Sequence, residues 1–323
     1  MKALASLCGI LCTCMSVTLY GTPLKGGDML VADPHYDAIV KVDPLTGNRE
    51  FFSGGVVGSG PSFEGVVGIT LDRFGNVFVT DEVANAVFAI DPTTGDRQIL
   101  SSDDLAVGTG PALARPFHID TASTGDLLMS DFGRDAVMKV NQTTGNRSIL
   151  SDLTHGNGPL FLAPEGLAVG RDDSIYVGDF AAVIKVDPDT GDRTVISSTN
   201  EPAFGLVGSG PSFNSALPGV FVDQHDDLYV INPEKGLFHV DTSTGDRTLV
   251  SGQGVGAGPV FSSPETCSGM LPVAYWLLIL GLTRLSVLTR RPVTEASFPM
   301  LITAVEITFR FRYQLRLSGP LFR

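Results

Sequence analysis

The chain has 323 residues, of which 43% are hydrophobic, and a formal net charge of −13 at pH 7. Residues 1–265 carry 33 acidic against 15 basic side chains, whereas residues 266–323 carry two Glu against seven Arg. The acidic part would repel phosphate, which argues against nucleic acid as a partner. Residues 22–265 contain no cysteine, so disulfides cannot stabilise this part of the chain.

The N-terminal segment has the composition of a secretory signal. Residues 1–20 combine one Lys with an apolar run and no acidic residue, and Gly21-Thr22-Pro23 follows. This pattern predicts a signal peptide over residues 1–21 and a secreted protein, extracellular or periplasmic.

A seven-residue phrase of the type Asp-Pro-x-Thr-Gly-Asp-Arg occurs five times, at steps of 48, 50, 46 and 54 residues. Its copies are Asp43–Arg49, Asp91–Arg97, Asn141–Arg147, Asp187–Arg193 and Asp241–Arg247. A period of this size predicts stacked or radial repeats. Residues shared by every repeat are then expected to be structural, and function is expected where one repeat departs from the others.

Each phrase lies between two short apolar, β-branched runs, and a second such pair precedes it. In the second unit these runs are 68–72, 77–81, 86–90 and 98–100. Four strands in about 48 residues predict the blade of a β-propeller. Residues 22–265 are therefore predicted to form an all-β propeller with five recognisable units, and we expect a six-bladed ring and a monomer.

The two ends of this region predict how the ring closes. Met29–Asp33 matches the second strand of a unit, so the first-strand partner is expected from the C-terminal part of the chain. A sixth unit begins at Gly258 and loses every repeat feature after Glu265.

Residues 266–323 do not continue the repeat, since they contain no Asp and no Lys and hold the single Trp. We infer a reading-frame shift near codon 265. The alternative is a membrane anchor over residues 270–288, although Arg284 interrupts its apolar run, which is shorter than the roughly 20 residues needed to span. A third possibility is that the tail leaves the ring open and the chain is a poorly folding gene remnant.

Other patterned residues are interpreted as structural. The second strands end in Asp or Asn, and repetition predicts that these residues tie loops; they are Asp33, Asp81, Asp131, Asp179 and Asn232. The five Gly-x-Gly-Pro stretches precede no helix, so we interpret them as connectors between blades and not as phosphate loops. His35, His155 and His225 lie in connections without metal-ligand spacing, and His239 is expected at the surface.

The order Gly-Ile/Leu-x-Val/Leu-Asp, then Val/Tyr-Val-x-Asp, then Asp-Pro-x-Thr-Gly resembles the NHL-repeat propellers. It is similar also to the gluconolactonase/senescence-marker family and to the streptogramin lyases, over roughly residues 28–265. The gluconolactonase resemblance implies a Ca²⁺ or other divalent ion, such as Mg²⁺, on the ring axis, held by residues just before the Gly of selected inner strands. The matching positions are Val67, Phe117, Glu165, Pro218 and Glu265, so Glu165 and Glu265 are the implied metal ligands.

The streptogramin-lyase resemblance implies a His, a Glu and a divalent metal near the axis. His118 and Glu165 are the matching pair, and His118 stands where other complete units have Gly. Such a pair could act as general acid and base, or His118 could simply fill the mouth of the channel.

Two functions are therefore predicted. The first is a binding module that recognises a small molecule or a protein partner on the axial face. The second is a divalent-metal-dependent lactonase or lyase that uses His118, Glu165 and Glu265. A membrane is a partner only if the 270–288 segment is an anchor.

Overall fold

The computed structural model describes residues 21–252, 254–257, 267–270, 275–278 and 286–289. Residues 1–20 of the predicted signal peptide, Glu265 and most of the tail therefore lie outside the described residues. The described part is an all-β propeller, which confirms the predicted fold.

Five blades of antiparallel strands form the ring. Blade one contains β1 (Met29–Asp33), β2 (Ala38–Val42) and β3 (Arg49–Gly54). Blade two contains β4 (Val66–Leu71), β5 (Val77–Asp81), β6 (Ala86–Ile90) and β7 (Arg97–Ser102). Blade three contains β8 (Pro116–Thr121), β9 (Leu127–Asp131), β10 (Ala136–Val140) and β11 (Arg147–Ser151).

Blade four contains β12 (Gly166–Val169), β13 (Ile175–Asp179), β14 (Ala182–Val186), β15 (Arg193–Glu201) and a fifth strand, β16 (Gly205–Val207). Blade five contains β17 (Gly219–Val222), β18 (Leu228–Asn232), β19 (Gly236–Val240) and β20 (Arg247–Gly252). The C-terminal part contributes β21 (Cys267–Met270), β22 (Tyr275–Leu278) and β23 (Ser286–Thr289).

The C-terminal part supplies the first strand of blade one, as predicted. Strand β23 pairs antiparallel with β1, which gives this blade the order β23-β1-β2-β3. The innermost strands β23, β4, β8, β12 and β17 follow one another around the axis. Strands β21 and β22 form a two-stranded sheet, and β21 contacts β17 on one side and β23 on the other. A complete sixth blade remains a prediction.

The repeated phrase forms the turn between the third and fourth strands. In blade two the Asp91 carboxylate accepts the N–H groups of Thr93 and Thr94 at 2.7 and 3.1 Å. Gly95 donates its N–H to the Asp91 carbonyl at 2.9 Å and has a φ of 75°, a conformation that favours glycine. The phrase is therefore a structural element, as its repetition predicts.

The arginine that ends the phrase joins its blade to the preceding one. Four of the five arginines are buried, and each donates from Nη1 to a buried serine hydroxyl of the preceding blade. The pairs are Arg97–Ser53 (3.2 Å), Arg147–Ser101 (2.7 Å), Arg193–Ser151 (2.6 Å) and Arg247–Ser197 (2.8 Å).

The Gly-x-Gly-Pro connectors bind the same arginines, because the Nε–H of each arginine donates to the proline carbonyl of one connector. The connectors therefore lie at the blade interfaces, in agreement with their interpretation as structural connections between blades. Apolar clusters complete these interfaces, for example Phe52 of blade one with Phe88 of blade two.

Candidate functional site

The candidate site lies on the axial face, which we define as the end of the ring where the innermost strands begin and the second strands end. His118 lies within β8 of blade three, and Glu165 directly precedes β12 of blade four. Pairing of Pro116 with Asp131 and of Gly166 with Gly178 places both residues at this end.

A single hydroxyl links the backbones of these two residues. Ser130 accepts the N–H of His118 at 3.1 Å and donates to the carbonyl oxygen of Glu165 at 2.6 Å. Thr80 repeats this bridge one blade earlier, from the N–H of Gly68 to the carbonyl of Phe117. The structure therefore brings His118 and Glu165 to adjacent blades at the axial face, while their predicted catalytic roles remain untested.

The next interface has no such hydroxyl. Gly178 occupies the position of Thr80 and Ser130, and Gly166 donates its N–H directly to the Leu217 carbonyl at 3.2 Å. A Cβ added to Gly178 would overlap that same carbonyl oxygen. Blades four and five thus approach more closely here than the blades that carry the hydroxyl bridge.

The His118 ring is buried in an apolar environment. The residue is 7% exposed, and its ring stacks on Phe117 at 5.8 Å between centroids. Burial lowers the pKa of His118 to about 4. Among the described residues, no hydrogen bond or ion pair joins this ring to Glu165. His118 is consequently neutral at pH 7 and a weak base there.

Glu165 is half-buried, and the pKa of its carboxyl group is shifted upward, opposite to that of His118. Its backbone N–H donates to the Gly178 carbonyl at 3.0 Å, which fixes its position at the start of the strand. Burial raises the pKa of Glu165, Arg115 opposes this shift, and the charge of Asp179 adds to it. The carboxylate therefore sits near one cation and one buried anion.

Arg115 is a residue of this face that the sequence reasoning missed. Its φ is 98°, a conformation that side-chain-bearing residues rarely adopt. Its N–H donates to Asn85 Oδ1 at 2.8 Å and its Nε pairs with Glu82 Oε2 at 2.7 Å, both in blade two. Its guanidinium lies 4.6 Å from the centre of the Phe132 ring.

The sequence did contain a signal for Arg115. The equivalent positions before the other inner strands hold small residues, namely Gly65, Ala163 and Ala216. An arginine in such a place departs from the repeat in the same way as His118 does. These two departures occur in one blade, three positions apart.

The terminal aspartates of the second strands are structural, as predicted. Asp81 accepts the N–H of Glu64 at 2.7 Å, Asp131 that of Ala114 at 2.9 Å, and Asp179 that of Leu162 at 3.0 Å. Each carboxylate thus holds the segment that leads into the inner strand of its own blade. Burial raises the pKa of Asp131 and of Asp179.

The described residues do not fit the axial metal site that the gluconolactonase resemblance implies. Val67 and Phe117 are buried apolar residues, Pro218 has no donor side chain, and Glu165 is the one carboxylate among these four positions. A hard cation needs several converging oxygens. Glu265, the other implied ligand, lies outside the described residues.

The structure also contains a cluster of possible metal ligands that the sequence analysis did not predict. Ligand atoms of Asp223, His225 and Asp227 lie within 4.8 Å of one another in the turn between β17 and β18. His239 also approaches Asp227, at 3.4 Å. Asp223 Oδ1 accepts two N–H groups of this turn, at 2.7 and 3.0 Å, which accounts for the cluster as turn structure.

A cavity of about 210 Å³ opens between blades three and four. Its lining combines three charged and three apolar side chains: Arg134, Asp135, Asp152, Leu153, Leu160 and Phe161. Leu160 is 49% exposed, whereas the matching residues of the other connectors are Ser62, Ala112 and Ser212. This cavity is thus another departure from the repeat in the same pair of blades.

Comparison with solved structures supports the fold. A chain in the crystal structure of a nidogen/laminin complex matches with a TM-score of 0.58 and 12% identity, over 83% of this chain and 100% of that chain. Virginiamycin B lyase from Staphylococcus aureus matches with a TM-score of 0.51 and 18% identity, over 80% of this chain and 76% of that chain. A streptogramin B lyase structure matches with a TM-score of 0.52 and 16% identity, over 78% of this chain and 73% of that chain.

These similarities establish a propeller of the kind found in streptogramin lyases. At such low sequence identities they support the fold and do not extend to function. No protein-family model matches the chain, and no curated protein matches it. In the part of the chain that the structure describes, no helix is long and apolar enough to cross a membrane.

Proposed function

We propose that the protein is a secreted binding module that recognises a small molecule or a protein partner on its axial face. The observation that carries this proposal is Arg115, held at a φ of 98° by blade two within electrostatic reach of the half-buried Glu165. Strained backbone at a ligand-facing position is typical of functional sites. Secretion rests on the predicted signal peptide.

The chemistry of the face suits recognition better than proton transfer. Arg115 offers a planar cation and Glu165 an anion, which together can orient a polar ligand. His118, with a pKa of about 4, is neutral at pH 7, and its ring is buried, which makes it a poor proton acceptor there.

Binding can be tested by ligand-observed NMR with a panel of amino acids, dipeptides, monosaccharides and lactones. We expect at least one class to bind the native chain and to be lost in Glu165→Gln and in Arg115→Ala. The matched controls are Asp189→Asn and Arg171→Ala, which change the same charges at exposed turn positions. Binding that survives both axial substitutions, or no bound class at all, would contradict the proposal.

The lactonase or lyase alternative has its own test. The fold comparison includes a catalytically inactive histidine-to-alanine variant of virginiamycin B lyase with quinupristin, so quinupristin is a suitable probe. A lyase opens the ring without a change of mass, whereas a lactonase adds one water. Ring opening that needs Mg²⁺ or Ca²⁺ and stops with EDTA or with Glu165→Gln would support the enzyme and contradict the proposal of a binding module.

A further inference from the structure

One of the five phrases differs from the others at its first two positions. Asn141 stands where the other four phrases have Asp, and Gln142 stands where three of them have Pro and one has Thr. Together with Thr143, these residues form Asn-x-Thr, the acceptor pattern for N-linked glycosylation. The pattern needs both departures, because the acceptor is an amide nitrogen and because proline in the middle position prevents glycosylation. At the start of the phrase it occurs in the third copy alone.

The turn of this phrase is held by one atom of the Asn141 side chain. Its Oδ1 accepts the N–H groups of Thr143 and Thr144 at 3.0 and 2.9 Å, and the Thr144 hydroxyl at 3.0 Å. The two N–H contacts reproduce those of the Asp91 carboxylate in blade two. Among the described residues, the amide nitrogen Nδ2 of Asn141 makes no hydrogen bond. The turn therefore uses the oxygen of this side chain and leaves the nitrogen free to react.

The exposure of the three residues fits an acceptor site better than a structural role. Asn141 and Thr143 are both exposed. Nε2 of Gln142, in contrast, is buried and has no hydrogen-bond partner in the described part of the chain. An unpaired buried amide group costs free energy, whereas a proline such as Pro92 brings no such group and suits this position of the turn. Gln142 thus departs from the repeat without a gain in stability.

The third phrase also contains Asn146-Arg147-Ser148, which has the form of a second acceptor pattern. Asn146 Oδ1 accepts the N–H and the hydroxyl of Thr109 in the preceding connector, each at 2.9 Å. Arg147 is 5% exposed and donates a hydrogen bond across the blade interface. The middle residue of this second pattern is fixed inside the fold, whereas the pattern at Asn141 lies within the turn.

We propose that Asn141 is an acceptor site for an N-linked glycan. The co-substrate is an oligosaccharide whose first sugar is joined to a lipid diphosphate. Nδ2 of Asn141 loses one proton, to a base of the glycosyltransferase, and forms a bond to C1 of that sugar. The bond from C1 to the diphosphate oxygen breaks, and the lipid diphosphate leaves with its electron pair. This inference rests on the secretion included in the proposed function, because the chain must enter the secretory pathway to meet the transferase.

The full chain is translated in vitro with eukaryotic microsomes, once with its own N-terminus and once behind the signal peptide of a known secreted protein. Protection from added protease reports entry into the lumen. A peptide N-glycosidase then removes the glycan and converts the linked Asn to Asp, which mass spectrometry locates in the chain. We expect entry with the chain's own N-terminus and a glycan at Asn141.

Substitutions taken from the other phrases test the acceptor in a turn that still folds. Asn141→Asp and Gln142→Pro each restore a residue of other copies, and each should abolish the glycan at position 141. Asn146→Asp is the matched control, because three other phrases have Asp at that position, and it should keep this glycan. Asp91→Asn combined with Pro92→Gln should create an acceptor in blade two, whereas Asp91→Asn alone should not.

Entry into the lumen without a glycan at Asn141 would overturn the inference, and so would a glycan at that position in Gln142→Pro. Entry that requires the added signal peptide, followed by glycosylation of Asn141, would support the acceptor site and contradict the secretion in the proposed function. The two proposals therefore fail in distinguishable ways.

Discussion

Arg193 of blade four donates a hydrogen bond of 2.6 Å to the Ser151 hydroxyl of blade three. That hydroxyl in turn donates to the Gly191 carbonyl at 2.7 Å, in the phrase that Arg193 ends. The guanidinium also lies 5.5 Å from the centre of the Phe161 ring. One side chain thus ties a turn, a connector and the neighbouring blade together.

Arg193→Ala should lower the free energy of unfolding by about 2–4 kcal/mol, because it removes several buried hydrogen bonds and leaves their acceptors unpaired. Arg49→Ala, the same change in an exposed phrase, should cost less than about 0.5 kcal/mol. Urea denaturation followed by circular dichroism measures both. Equal losses in the two variants would show that the interface contacts do not stabilise the ring.

Ser130→Ala should lower the free energy of unfolding by about 1–3 kcal/mol. The change leaves the His118 N–H and the Glu165 carbonyl without the hydroxyl that joins them. Ser130→Thr, which restores the hydroxyl found at Thr80, is the matched control and should recover most of the loss. Thermal unfolding of the three proteins tests this order.

Gly178→Ala should lower the free energy of unfolding by about 1–3 kcal/mol, since its Cβ would overlap the Leu217 carbonyl oxygen across the blade interface. Gly26→Ala is the control, because an added Cβ there has nothing within 4 Å. If both variants unfold at the same temperature as the native protein, blades four and five do not approach as closely as described.

His118 should make the protein less stable in acid. Its pKa is lowered to about 4 in the folded state from an ordinary value of 6.5, so the neutral form is the one that the fold favours. The stability it contributes is complete above pH 6.5 and is lost as the pH falls toward 4, in total about 3 kcal/mol.

His118→Gln removes this titration, so its free energy of unfolding should depend less on pH between 6.5 and 4. Urea denaturation of both proteins at several pH values in this window measures the difference. Parallel curves would contradict the burial of a neutral imidazole at this position.

The candidate site was partly predictable from the sequence. The departure of His118 from a repeated glycine, and the acidic residue at position 165, identified two blades whose backbones one hydroxyl does link. Arg115 was missed although it also departs from the repeat, because its importance depends on φ and on partners in blade two. The cluster of Asp223, His225 and Asp227 was missed although its members lie in one turn, because His225 was compared with the other histidines and not with the adjacent aspartates.

Sequence alone determined the repeat, the four-stranded unit and the turn chemistry of the phrase. These depend on contacts within a few residues, where alternation and the conformational limits of Asp, Pro and Gly act directly. The tertiary structure alone decided which serine each arginine reaches, how deeply His118 is buried, and which of the five phrase arginines is left exposed. Those properties arise when residues 34 to 50 positions apart are brought together around one axis, and no local pattern encodes that contact.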